Sequence, residues 1–168
     1  MRWFWIDRFS RFESGRCATS VKNVTLAEEH LHDHFPGAPM MPNSLVIEGL
    51  AQTGGLLVGE HFGFRERVVL GKVAKAQFHF HPVPGDSLTY HTVIQEISRD
   101  GAFVNGTSHV GDRLQAEVEL FFVHLDESAA GPSLFDPAAL LQMLKLLGVF
   151  TVGRTAEGGP IAIPAALA

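Results

Sequence analysis

Apolar and polar positions alternate in short runs along most of the chain, except over residues 43–58, where apolar residues crowd every face of a helical repeat. Alternation with period two marks half-buried strands. Leu45, Ile47, Leu50, Ala51, Leu56, Leu57 and Val58 mark instead a helix buried on all sides. The first 25 residues predict two strands around a turn at Glu13-Ser14-Gly15, the second over 17–24. Residues 28–42 are expected to be loop, since Pro36, Gly37, Pro39 and Pro42 break regular structure. Residues 68–80 predict one long strand or two, Pro82-Val83-Pro84-Gly85-Asp86 a turn, and 87–98 a strand rich in β-branched residues. Beyond the turn at Arg99-Asp100-Gly101, strands over 103–110 and 113–125 flank Gly111-Asp112, a favourable two-residue hairpin connection. In the last strand Leu114, Ala116, Val118, Leu120 and Phe122 share one face.

One long buried helix among antiparallel strands gives an α+β fold, with the helix covered by one face of the sheet. Gly49, Gly54 and Gly55 lie inside that helix, each costing about 1 kcal/mol relative to alanine. Other backbone is therefore expected to pass close by, as a sheet curling around a central helix would provide.

The character changes after residue 126, which divides a main domain over 1–126 from a C-terminal extension over 127–168. Ser128-Ala129-Ala130-Gly131-Pro132 reads as a linker. Asp136 followed by Pro137 supplies a cap and a first-turn proline for a short apolar helix over 138–147, expected to dock on the body or on another subunit. Residues 148–168, rich in Gly, Ala and Pro, are expected to be loose.

Composition narrows the class. Hydrophobic residues make up 46% of the 168, charged residues only 18%, and there are 13 phenylalanines, so a globular fold buries much aromatic surface internally or against a partner subunit. A formal charge of -5 without a basic stripe argues against nucleic acid as a ligand. The single Cys17 excludes an internal disulfide framework and suits a reducing cytoplasm; with no base beside it in sequence, it reads as an inert thiol. Met1 to Ile6 is apolar apart from Arg2, but Asp7 and Arg8 end the run, and nothing approaches the roughly 20 apolar residues that span a bilayer. A cytoplasmic location is expected.

Candidate chemistry concentrates in His34-Phe35-Pro36-Gly37-Ala38-Pro39-Met40-Met41-Pro42-Asn43-Ser44-Leu45-Val46-Ile47-Glu48-Gly49-Leu50-Ala51-Gln52. An imidazole in a proline-stiffened loop precedes a helix that carries a carboxylate near its start. Histidine titrates near neutral pH and suits a general base, and a carboxyl can protonate or orient a leaving group if burial raises its pKa. Free N–H groups at a helix start can hold a developing oxyanion. His34, Glu48 and the amides around Asn43 to Leu45 offer these parts, with Gln52 one turn beyond Glu48. A structural reading stands beside each: a salt bridge for Glu48, helix support for Gln52, loop shaping for Gly37 and Pro39. His30, His32 and His34 alternate, but the prolines that follow argue against a regular metal site there. Arg65, Arg67, Lys72 and Lys75 form a modest basic group, and His79 and His81 share a strand face.

His-Phe-Pro-Gly, then Met-Pro, then Ile-Glu-Gly-Leu-Ala-Gln resembles the short, non-isomerising 3-hydroxyacyl-[acyl carrier protein] dehydratases of the hotdog fold. Asp7-Arg8, Lys22-Asn23-Val24-Thr25 and the Pro82 to Asp86 segment extend the likeness, which leaves the tail uncovered. It implies an antiparallel sheet wrapped around a long central helix, catalysis by His34 and Glu48 without metal or organic cofactor, and a carrier protein bearing the 3-hydroxyacyl chain. It also implies a homodimer, or a trimer of dimers, in which each site takes its histidine and its carboxylate from different subunits. Phe35, Gly37, Asn43, Ser44 and Gln52 fall on the substrate side of the motif. Glu48 and Ala51 favour the dehydratase-only branch. The chain departs from the family at Asn43, where glycine is usual, and at Asp33, whose carboxylate is expected to favour a protonated His34. Asn43 is expected to cap the helix. A hotdog thioesterase, with Glu48 activating water, and a non-catalytic acyl-binding subunit are the alternative readings.

Overall fold

The computed structural model describes residues 4–125 and 136–167. In chain order these form β1 (Arg8–Glu13), β2 (Cys17–Asn23), α1 (His30–Asp33), α2 (Asn43–His61), β3 (Arg67–Phe78), β4 (Ser87–Ile97), β5 (Gly101–Val110), β6 (Arg113–Leu125), α3 (Pro137–Leu146), α4 (Val149–Val152), β7 (Gly153–Arg154) and a 3-10 turn over Ala165–Leu167. The strands make one sheet in the order β3-β6-β5-β4-β2-β1-β7. Every pairing is antiparallel except that of β7 on β1, which is parallel. The sheet curls so that β2, β3, β4, β5 and β6 all touch α2, which gives the α+β hotdog arrangement.

Parity decides what the helix meets. Leu88 and Tyr90 from β4, Val104 from β5, and Ala116, Val118, Leu120 and Phe122 from β6 point inward. They pack with Val46, Leu50, Leu57 and Val58 of α2 in one buried cluster. Each fully buried Leu or Val contributes on the order of 1.5–3 kcal/mol relative to exposure. The helix glycines make this packing fit, but not as expected. A Cβ at Gly49 would strike the Tyr90 ring and lie 2.9 Å from the Trp5 carbonyl oxygen, whereas at Gly54 and Gly55 it would meet Phe122 and Val104 side chains. Backbone approaches at one point only; aromatic rings occupy most of the space.

Three expectations are corrected. The 28–42 loop begins with a helical turn, α1, because its first proline is Pro36 and nothing upstream prevents helix. α2 runs on to His61. The tail beyond 148 is ordered: α4, β7 and an Arg154–Pro160 bridge follow the turn at Gly148, and Val149, Ile161 and Leu167 are buried. β7 finds its partner because β1 leaves an outer edge unpaired, and Phe12 and Glu13 take up Gly153 and Arg154. The Asp136 cap forms as read, its Oδ2 accepting from the Ala139 N–H at 3.0 Å. α3 buries Met143 and Leu144 against the body, and the Leu147 carbonyl accepts from the Phe9 N–H at 2.8 Å. The linker at 128–132 lies outside the described residues.

Thr19 and His91 face each other across β2 and β4, with Oγ1 and Nδ1 2.9 Å apart. Burial pushes the His91 imidazole below its ordinary 6.5, Arg11 and His109 push the same way, and Glu13 opposes them. On acidification the unfolded chain therefore takes this proton first. Stability from this group is complete above about 6.5 and is lost as the pH falls from there towards the lower folded value. His91→Gln is expected to flatten the fall of the urea midpoint just below pH 6.5, and an unchanged slope would contradict it.

Candidate active site

His34 closes α1 and opens the proline-rich loop. Its Nδ1 lies 3.0 Å from the Met40 carbonyl oxygen, which can only accept. In the neutral imidazole the proton therefore sits on Nδ1 and the lone pair on Nε2. The same two residues are joined through the backbone, the Met40 N–H donating to the His34 carbonyl at 2.9 Å. Between them Pro36 and Gly37 form the middle of a turn closed by the Ala38 N–H on the Phe35 carbonyl at 2.9 Å. Gly37 has φ +76, so Pro followed by Gly here gives the type II signature. The Met41 N–H donates to the Pro82 carbonyl at 2.8 Å, which ties the loop to the Pro82 to Asp86 turn. Phe35 stacks on the imidazole with centroids 4.3 Å apart and is itself 53% exposed. Asp33 is exposed and makes no hydrogen bond with His34.

At the start of α2 the cap position falls on Pro42, not on Asn43, because Pro42 holds the extended conformation (φ -59, ψ 137) and Asn43 is already helical. The Leu45 and Val46 N–H groups turn back to the Pro42 carbonyl at 3.0 and 3.3 Å. The amides of Asn43 and Ser44 have no acceptor among the described residues, as the first turn of a helix dictates. Asn43 Oδ1 is buried without a hydrogen-bond partner, and Ser44 is exposed.

Glu48 is held by an amide. Gln52 Nε2 donates to Glu48 Oε1 at 2.9 Å, and Gln52 Oε1 accepts from the Trp5 N–H at 3.0 Å. No lysine or arginine pairs with Glu48 among the described residues. Glu48, Ala51, Gln52, Gly55, Leu56 and Gly59 recur at steps of three and four and lie on one face of α2. That face, about 16 Å long at 1.5 Å per residue, forms one wall of a cavity of about 1410 Å³. Val68, Val69 and Leu70 of β3 and Phe122 of β6 border it as well. Arg65 and Arg67, from the basic group, border it too, whereas Lys72 and Lys75 stand exposed on β3.

Within one copy of the chain, then, Glu48 and Gln52 come together on the cavity wall, five and nine residues beyond Asn43 on the same helix. His34, Phe35 and Gly37 sit on a separate loop that does not border this cavity. The alternating histidines do not converge. His30 meets the Trp5 ring edge-on at 5.3 Å, His32 Nε2 bonds the Leu26 carbonyl at 3.0 Å, and His34 bonds Met40. His79 pairs with Glu117 at 3.3 Å on the surface. Cys17 is buried, and burial first, then Glu13, pushes its thiol up, which keeps it protonated and inert.

Sequence reasoning passed over two features. His124 borders the cavity, 4% exposed, with Nδ1 3.1 Å from Glu66 Oε2 and its ring edge-on to Phe62. The parity of β6 carried the signal, since 124 continues the inward series of 114 to 122. Lys22 is also buried; it donates to Glu28 Oε1 and to the Asn23 carbonyl at 3.0 Å, with Asp7 Oδ1 at 3.9 Å. This cluster secures the approach to α1, where the Leu31 N–H donates to the Glu28 carbonyl.

Comparison with known proteins bears on the same stretch. The FabA-like domain family matches residues 4–119. The 3-hydroxyacyl-[acyl-carrier-protein] dehydratase FabZ of Clostridium kluyveri is 36% identical over 124 residues, 73% of this chain and 86% of the relative. Its counterpart in Pelotomaculum thermopropionicum is 36% identical over 118 residues, 70% of this chain and 84% of the relative. Among solved structures, a Streptococcus mutans protein bound to acetyl CoA aligns with a TM-score of 0.60 at 15% identity, over 74% of this chain and 93% of that one. At that identity the likeness concerns the fold. The family match ends before α3 begins.

Proposed function

The chain belongs to the FabA-like family, and from that premise we propose that it is a hydro-lyase converting a 3-hydroxyacyl thioester on acyl carrier protein to the trans-2-enoyl thioester, in fatty-acid or related lipid synthesis. His34 Nε2 removes a proton from C2. The C2–H electrons form the C2=C3 bond, and the C3–O bond breaks. Glu48 of the partner subunit protonates the departing hydroxyl, which leaves as water. The Asn43 and Ser44 amides, at the positive end of α2, hold the thioester oxygen while charge builds on it. Proton transfer alone balances this reaction, so no metal or organic cofactor is needed.

Glu48 carries the reading: a carboxyl on the wall of a cavity, tied to a neutral amide rather than to a cation, is available to exchange a proton. His34 does not border that cavity in its own chain, which supports a site completed by a second copy. The outer edge of β3 is unpaired in the sheet order, and Leu70, Val73 and Phe121 nearby are each more than a third exposed. A second copy adding its own β3 there would build the homodimer, alone or as a trimer of dimers. Arg65 and Arg67 at the cavity suit an acidic carrier protein. No described helix is long and apolar enough to cross a membrane; a cytoplasmic location is in keeping with the free Cys17 thiol.

The test is direct. Purified chain given a 3-hydroxyacyl thioester is expected to generate enoyl absorbance and no free thiol. Release of thiol instead makes it a thioesterase, and binding without either makes it an acyl-binding subunit.

A further inference from the structure

The cavity beside Glu48 is not built by the family domain alone. The family match stops at 119, yet Pro137, Leu140 and Met143 of α3 and Leu167 of the last turn border the same space as Glu48, Gln52 and Leu56. Topology explains how they arrive. β6 lies beside β3, at one end of the sheet order, and β7 forms the other end beyond β1. The extension that leaves β6 therefore crosses from one margin of the curled sheet to the other, and α3 lies on that crossing. It is fixed at several points: the bond from the Phe9 N–H to the Leu147 carbonyl, β7 on β1, and Leu144, Leu147 and Val149 fully within the core. A segment so anchored cannot swing aside as a lid. It is a wall.

We propose that α3 and the closing turn form the wall of the acyl cavity that sets which acyl chains the protein accepts, with Leu140 and Met143 as the specificity-determining side chains. This rests on the dehydratase reading of Glu48 and adds the residues that choose the substrate. Chemistry at the α2 N-terminus is indifferent to what lies further along the chain. Discrimination must come from the apolar surface that the rest of the acyl group meets, and a methylene gained or lost in such a pocket changes kcat/KM by roughly 10- to 200-fold. Leu140 is half-buried, so its side chain can change without emptying the core. Met143 is 5% exposed; its thioether is a flexible filler that a smaller residue would turn into space. The ligand class is a linear or branched hydrocarbon chain.

The experiment uses the full chain and a series of 3-hydroxyacyl thioesters of increasing acyl length, and reads kcat/KM and equilibrium binding for each. Leu140→Trp is expected to lower kcat/KM for the longest accepted chains by about tenfold or more, with the shortest unchanged. Leu140→Ala and Met143→Ala are expected to shift the preference towards longer chains. Leu146→Ala, at a position 72% exposed that does not border the cavity, serves as the control and should keep the wild-type profile. Folded variants that turn over with the wild-type length profile overturn the wall. A wild-type protein that binds the series but dehydrates none of it overturns the dehydratase reading instead, and the wall is then judged on whether the binding profile moves in the same variants.

Discussion

His34→Ala is expected to lower dehydration by roughly 100-fold or more, and Glu48→Gln by a similar factor, the usual scale for a lost proton-transfer group. The fall should lie in kcat rather than KM, because each group acts on the proton in flight and not on the resting acyl chain. Neither change threatens the fold. His34 sits partly exposed on a loop whose backbone hydrogen bonds remain, and glutamine preserves the shape of Glu48 beside Gln52. Mixing the two inactive proteins makes a sharper test. If each site draws histidine and carboxylate from different copies, a His34→Ala/Glu48→Gln heterodimer holds one doubly damaged site and one intact site. Co-expression should then restore about half the wild-type activity per heterodimer. Sites assembled within one copy would gain nothing from mixing, and near-normal turnover by purified His34→Ala would end the assignment altogether.

Lys22→Met is expected to destabilise the fold by about 3 kcal/mol, lowering Tm by roughly 6 to 12 °C for a chain of this size. Methionine keeps the aliphatic stem that β2 buries but removes the ammonium. The Glu28 side chain, 18% exposed, would lose its cation, and its Oε2 already lacks a hydrogen bond. Removing one member of such a pair costs more than removing both, since the remaining charge must stay out of water alone. Lys22→Met/Glu28→Leu should therefore recover part of the loss, read as a coupling in a double-mutant cycle of urea unfolding. Equal stabilities for Lys22→Met and the wild type would show that the cluster is solvated and of little consequence.

What could be read in advance was local. Asp136 before Pro137 gave its helix within a residue, because a cap and a first-turn proline act over one turn. Strict alternation in β6 gives both the strand and its inward face, and the same parity runs on to His124. The candidate site was legible as a motif, and the structure adds the Met40 bond that fixes the His34 tautomer. Misreadings came where a neighbour decides. The prolines break regular structure only from Pro36 onward, and α1 lies upstream of them. Asn43 has a capping side chain, but Pro42 had already set the helix entry. The glycines of α2 announced a close approach without saying whether backbone or an aromatic ring makes it. β7 is two residues long and has no pattern of its own; only the vacant edge of β1 makes it a strand.

That last pairing joins early chain to late chain. Phe12 takes up Gly153 and Glu13 takes up Arg154, so the ribosome must release everything up to that point before the first hairpin is shielded. Until then a nascent polypeptide carries an unprotected margin open to its neighbours on the same message. Synthesis that stalls or stops beyond β6 should accordingly yield aggregates rather than a smaller working enzyme.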